Sequence, residues 1–389
     1  MLRFLTAGES HGPALVAILD GMPAGLPLSS SAIDRQLARR MLGYGRGGRM
    51  KIESDKARIL AGIRFGLTLG SPIALLIENR DWPNWQSAMD PERAPRQAAL
   101  AKQVSRPRPG HADLAGSLKY DTHDARNVLE RASARETAAR VGVGAICREL
   151  LGQMGIEVAS HTTSVGAARA SDDEEASWKG ILDSEGSPLR CADPALEKKM
   201  IREIDAAKRR GDSVGGSFQV VARGVPPGLG AFRQWDARLS GRIAQVLMSI
   251  PSVKGVEIGS GFRSARARGS EVHDEIHYNK RRRVFHRKTN RAGGLEGGMT
   301  NGEEIRARVF VKPLSTLPTS LRSVDLVTKR SFDAAVERTD TTAIAAAGVI
   351  GEAMLSIVLA DALLEKLGGD SLKELRRNFR GYLDQLKRF

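Results

Sequence analysis

The apolar positions of this chain fall into short runs separated by glycine- and proline-marked turns, and their spacing predicts most of the secondary structure. Residues 2–6 and 14–19 read as strands joined through Gly8-Glu9-Ser10-His11-Gly12, a tight turn that exposes Ser10 and His11 at a strand end. Residues 29–42 read as a helix, with Ser31 and Asp34 spaced as a capping box. Two strands fill 57–79 around a glycine turn at 66–70, and 81–95, with its tryptophans and prolines, reads as an irregular surface excursion. A long helix is predicted from about Asp124, its N-cap, to Leu151, with Val128, Leu129, Ala132, Val141, Ala145 and Ile146 as apolar or small positions. Further strands are expected at 156–166, 218–224, 254–260 and 306–312, and a helix at 237–249. The run 343–360 is apolar enough to raise the question of a membrane span. It carries Glu352 and two glycines, is followed by Asp361 and Glu365, and ends at Gly368-Gly369, so it reads instead as a small-residue helix buried between layers. Strands and helices mix without steady β-α alternation, which points to an antiparallel-rich α+β fold. One domain is expected over 1–389, with 170–209 as a peripheral insert and 271–291 as a flap loop carrying Lys280-Arg281-Arg282-Arg283, or simply a solvated basic run.

Charge narrows the class of ligand. A formal net charge of +15 predicts attraction to polyanions or to multiply charged acidic small molecules. Nucleic-acid binding would favour basic runs interleaved with aromatics for base stacking, yet aromatics make up only 5% of the chain and are scattered. No nucleic-acid partner is therefore expected, although a basic RNA-binding protein remains the rival reading of the charge. Cys147 and Cys191 match no metal-ligand spacing, so no metal is expected, and free buried thiols suit a reducing cytoplasm. The start, MLRFLTAGESHG, lacks the basic and long apolar regions of a secretory signal, and no membrane association is expected.

Candidate chemistry concentrates in 105–142. The prolines of Arg106-Pro107-Arg108-Pro109-Gly110-His111 exclude a helix and present His111 from a rigid, bent loop. Arg131 and Arg135, four residues apart, would share a face of the following helix with Ser133 alongside. A histidine and two guanidinia directed at one place suggest an anionic ligand undergoing proton transfer. The alternative is a solvated arginine face paired with Glu130 and Glu136. Gly43, Gly45 and Gly48 satisfy G-x-G-x-x-G, but they follow a helix where a dinucleotide fingerprint needs a strand. A glycine loop that lets Arg46 and Arg49 wrap a phosphate or carboxylate is the better physical account. No phosphate loop of the G-x-x-x-x-G-K-[ST] type occurs, which argues against a kinase.

Seven collinear motifs, GESHG at 8–12, GYGRGGRM at 43–50, RPGHADLAG at 108–116, RASARETAAR at 131–140, KGVEIGSGF at 254–262, NRAGGLEGGMTNG at 290–302 and RTD at 338–340, resemble those of the chorismate synthase family. The resemblance covers almost the whole chain and implies a β-α-β sandwich with central helices between antiparallel sheets, assembled as a homotetramer. It implies elimination of phosphate from 5-enolpyruvylshikimate 3-phosphate with reduced FMN and no net redox change. NADPH or an external flavin reductase would be the reductant. By similarity, Arg40, Arg46, Arg49 and Arg135 hold substrate anions, and the counterparts of Arg40 and Arg46 are also assigned to NADPH. Arg131, Ala132, Ser133, Gly297, Lys312, Pro313, Leu314, Ser315, Thr316 and Arg338 match the FMN-contacting segments. Pro251 and Ser252 stand where the family often has an Asn- or Gln-Ala pair, and the proline nitrogen cannot donate. His11 corresponds to the acid for the departing phosphate, His111 to the acid for the reduced flavin, and Asp340 to a proton relay. His123, His161, His273, His277 and His286 fall in no such motif.

Overall fold

In a computed structural model of the chain, described here for residues 2–47, 54–92, 97, 101–171, 175–337 and 340–389, two antiparallel sheets enclose a layer of helices. The first sheet has four strands in the order Arg3–Ala7, Ala14–Asp20, Ile73–Glu78, Ala57–Ala61. Alternation decides which face is buried: Leu15 lies opposite Ile77, Ala17 opposite Leu75 and Leu19 opposite Ile73, and all six are buried. The second sheet has five strands in the order Val253–Ile258, Ile305–Val311, Gly216–Arg223, Glu157–Val165, Ala168–Arg169.

Between the sheets lie the helices Ser30–Met41, Thr137–Gly152, Leu239–Met248 and Ile344–Leu367. Small residues set how closely these layers approach. A Cβ on Gly144 would stand 2.4 Å from the Ala353 Cβ, where two central helices cross. One on Gly351 would stand 2.5 Å from the Phe218 ring of the second sheet. Adding such a methyl would overpack the core at a cost of about 1–3 kcal/mol. The run that raised the membrane question is thus the central helix Ile344–Leu367, 94% buried over its most apolar window, and it stops at Gly368 with φ 63°.

Three expectations need correction. The helix predicted over 124–151 is broken: Arg126–Ala132 ends at Ser133, whose ψ is 140°, a 3-10 turn covers Ala134–Glu136, and Thr137–Gly152 follows. The N-cap of the first piece is Ala125, not Asp124; Asp124 stands one residue before it and accepts from Arg126 N at 3.0 Å. Because of the break, Arg131 and Arg135 do not share one helical face. The helix at 30–41 is capped by Ser29, whose Oγ accepts from Ala32 N, and not by a Ser31/Asp34 box; Asp34 accepts from Ala57 N at 2.8 Å. The stretch 170–209, expected at the periphery, supplies Leu196, Met200 and Ile204 of the helix Pro194–Arg209 to the main core. Within 271–291 a hairpin forms, Ile276–Asn279 against Val284–Arg287, with the basic run exposed at its turn.

Candidate active site

His11 sits where the first strand turns, and the turn is fixed from several sides. Ser10 N donates to Glu130 O at 3.0 Å, and the Asn79 side-chain amide donates to Ser10 O and Gly12 O. Gly8 is required here, since a Cβ would lie 2.3 Å from Ala14 O. The His11 Nδ1 lies 2.9 and 3.0 Å from the two oxygens of Glu130, and His11 N donates to the same carboxylate at 2.8 Å. The ring stacks on Trp85 with centroids 3.9 Å apart. Glu130 is buried and also receives Arg126 Nη1 at 2.9 Å. Burial opposes its ionisation, but the bonds from His11 and Arg126 outweigh that and hold the carboxyl below its usual value.

His111 repeats the arrangement with other residues. Its Nδ1 lies 2.5 Å from Asp113 Oδ1, and Asp113 is fully buried. Arg108 donates to Asp113 from Nε at 2.8 Å and from its backbone N at 3.0 Å. Against the cost of burial, His111 and Arg108 hold Asp113 well below the usual carboxylate range. The loop is bound to the end of the strand Ile305–Val311: Arg108 Nη1 donates to Thr316 Oγ1 at 2.9 Å, and Lys312 Nζ and Ser315 Oγ both donate to Gly110 O.

Buried arginines form a third group. Arg135 Nη1 contacts both Asp55 oxygens at 2.5 and 2.6 Å, and Arg40 reaches Asp55 at 3.5 Å, Thr137 Oγ1 at 3.0 Å and Ala134 O at 2.9 Å. This group joins the first through Ser133, whose Oγ donates to Ser10 Oγ and accepts from Arg135 N. Asp340 anchors the glycine loop, accepting from Gly47 N at 2.6 Å and pairing with Arg46 Nε at 3.2 Å. Thr341 N donates to Gly45 O, Val214 N to Thr341 O, and Ser213 Oγ to Leu314 O, which ties that loop to the 312–316 segment. Arg49 and Arg338 lie outside the described residues.

The remaining residues divide by role. Arg131 binds the Thr6 and Gly8 carbonyls and the Thr6 hydroxyl, so it braces the His11 turn. Ala132 ends its helix. Ser252, with φ 69°, accepts from Lys312 N at 2.9 Å through its carbonyl, and Pro251 precedes it in the same turn. Gly297 has open space around its Cβ position, and Pro313 is exposed. Lys312 is shifted to a lower pKa by burial and by the neighbouring Lys254, and its Nζ is held by neutral oxygens, Gly110 O and Ser315 Oγ. Two ammonium groups beside hydroxyls at one strand end suit a phosphate, so this donor set fits FMN. Sequence reasoning missed Asp55, Trp85, Arg108, Asp113 and Arg126 as parts of the site, and named Glu130 only in the alternative of a solvated arginine face. The local signals were His111-x-Asp113 and the four-residue spacing of Arg126 and Glu130. Asp55 has none, because its partners are far along the chain.

Two imidazoles backed by buried carboxylates, linked through shared turns to buried guanidinia, are the groups an enzyme needs to hold an anion and move protons on it. The family model described as chorismate synthase matches residues 2–364. The chain is 56% identical over 393 residues to the chorismate synthase of Symbiobacterium thermophilum, covering 100% of both, and 53% identical to that of Aquifex aeolicus, covering 100% of this chain and 99% of the relative. A solved structure titled "Crystal Structure of Chorismate Synthase" superposes with a TM-score of 0.80 at 44% identity, over 100% of this chain and 99% of that one. The chain belongs to the chorismate synthase family, and its activity is that of a lyase forming chorismate in the shikimate pathway.

Proposed function

We propose that the enzyme eliminates phosphate from 5-enolpyruvylshikimate 3-phosphate, with reduced FMN as a cofactor that is not consumed. The observation that carries this reading is the pair of imidazoles, His11 and His111, each bound through Nδ1 to a buried carboxylate and reached by segments that also hold Arg40, Arg46 and Arg135. The substrate's two carboxylates and phosphate call for such fixed cations. His11 Nε2 would give a proton to the departing phosphate, and His111 Nε2 would hold the proton needed at the cofactor. Asp340 orients Arg46 and is the third candidate proton carrier. Lys312, Ser315 and Thr316, with the turn at Gly297, would hold FMN, and the loan of an electron during loss of phosphate is the chemistry it supplies when bound. The flavin needs reducing once, by NADPH at Arg40 and Arg46 or by an external flavin reductase. On the family resemblance we place the enzyme in the cytoplasm as a homotetramer.

The test is to count chorismate formed against reducing equivalents supplied without oxygen. Many turnovers per reduced flavin, and none with oxidised FMN alone, are expected. One-to-one consumption of reductant, or full activity with oxidised flavin, refutes the reading.

A further inference from the structure

We infer that Glu130 and Asp113 are the positioning residues of the two histidines, each fixing its imidazole as the Nδ1–H tautomer so that Nε2 is the only ring atom able to exchange a proton with a ligand. This rests on the proposed roles of His11 and His111 and adds what makes those rings competent.

The assignment follows from donors and acceptors. At 2.5 Å between His111 Nδ1 and Asp113 Oδ1 a proton must lie between the two atoms. Asp113 already accepts from Arg108 Nε and Arg108 N and is kept ionised by that guanidinium, so the proton resides on Nδ1. Arg108 Nη2, 3.1 Å from the same nitrogen, is then a neighbouring donor and not a hydrogen-bond partner. His11 follows the same logic, with Glu130 held by Arg126 Nη1 and by His11 N. The arginines keep the carboxylates charged, the carboxylates set the tautomers, and each ring can lose its Nε2 proton while keeping the one on Nδ1. The other charged groups around His11 act at longer range. Glu337 pairs with Arg126, Lys102 lies over the Trp85 ring, Asp81 accepts from the Trp85 indole and Arg131 binds Gly8 O.

The experiment uses the full-length enzyme labelled with 15N-histidine, with His11→Gln and His111→Gln to assign the signals and solid-state 15N shifts to read the tautomer. In the wild type the neutral forms of both rings should be Nδ1–H. An Nε2–H form of either ring overturns the inference. In Glu130→Leu the acceptor that holds the Nδ1 proton is lost, so the His11 ring should populate both tautomers and kcat should fall about ten-fold or more with KM little changed, while Glu130→Gln, whose amide oxygen can still accept from Nδ1, should lose less. An unchanged tautomer and kcat in a folded Glu130→Leu enzyme, while His11→Gln is inactive, removes the positioning role and leaves the acid role of His11 standing. Near-normal turnover of His11→Gln removes the underlying reading instead.

Discussion

Replacing Glu352 by glutamine should destabilise the enzyme by about 3 kcal/mol near neutral pH. Glu352 lies mid-way along the helix Ile344–Leu367, fully inside the sandwich, and three guanidinia converge on it. Arg39 donates at 2.7 and 3.0 Å, Arg148 at 2.8 Å and Arg190 at 2.7 Å, with Ser160 Oγ donating at 2.7 Å. Burial alone would raise its pKa, but the three arginines draw it from 4.5 down to about 2. That displacement corresponds to about 3 kcal/mol, and removing one partner of a buried pair independently suggests about 3–5 kcal/mol. The sign follows from a depressed carboxyl. Its contribution is complete above the unfolded value of about 4.5 and is lost as pH falls toward 2. Urea unfolding at fixed protein concentration, compared for wild type and Glu352→Gln over falling pH, should show the widest gap near neutrality and a closing gap in acid. A neutral-pH gap below about 1 kcal/mol, or one that does not narrow in acid, refutes the reasoning.

Two further predictions concern binding. Arg135→Ala, combined with Asp55→Asn so that no buried carboxylate is stranded, should weaken substrate binding by on the order of 2–5 kcal/mol, whereas the exposed hairpin residue Arg282 should cost less than about 1 kcal/mol when cut to alanine. Equal losses in substrate titrations of the two variants would mean that the charge acts only as a diffuse field. Lys312→Ala should weaken FMN binding by about ten-fold or more, the worth of one charge-assisted hydrogen bond, as read from flavin fluorescence. An unchanged Kd would take the 312–316 segment out of the cofactor's cradle.

What the sequence disclosed, and what it did not, follows how far apart the interacting groups lie. The paired strands of the first sheet were legible because their alternation is local and the register only has to match Leu15 to Ile77 and Leu19 to Ile73. The burial of 343–360 was legible from its small residues, and Gly144 against Ala353 is the contact those residues serve. The break at Ser133 was not, because part of what holds it is a hydroxyl of the distant His11 turn, and apolar periodicity carries straight through 128–146. His11 and His111 stood out because glycine and proline loops present them. Their carboxylates did not: Glu130 lies on the predicted helix, where a charged residue reads as solvated unless a remote partner is known, and Asp113 lies before that helix in a stretch to which no element was assigned.

The net charge invites a firmer conclusion about where ligand recognition comes from. Among the described residues, most arginines of the site are matched by carboxylates: Arg40 and Arg135 by Asp55, Arg46 by Asp340, Arg108 by Asp113 and Arg126 by Glu130 and Glu337, while Arg131 binds neutral oxygens of Thr6 and Gly8. The surplus behind +15 includes the exposed Lys280-Arg281-Arg282-Arg283 turn and Lys373, Arg376, Arg377 and Arg380 on the helix Leu372–Arg388. Overall charge therefore signalled an anionic ligand through residues that mostly do not form the site, and at most steers it inward. On the proposed function, recognition would depend instead on guanidinia held rigid by buried carboxylates, an order that costs desolvation and returns orientation. Salt should accordingly slow substrate association more than it weakens the bound complex, since exposed charges are screened over about 10 Å at moderate ionic strength while buried pairs are not.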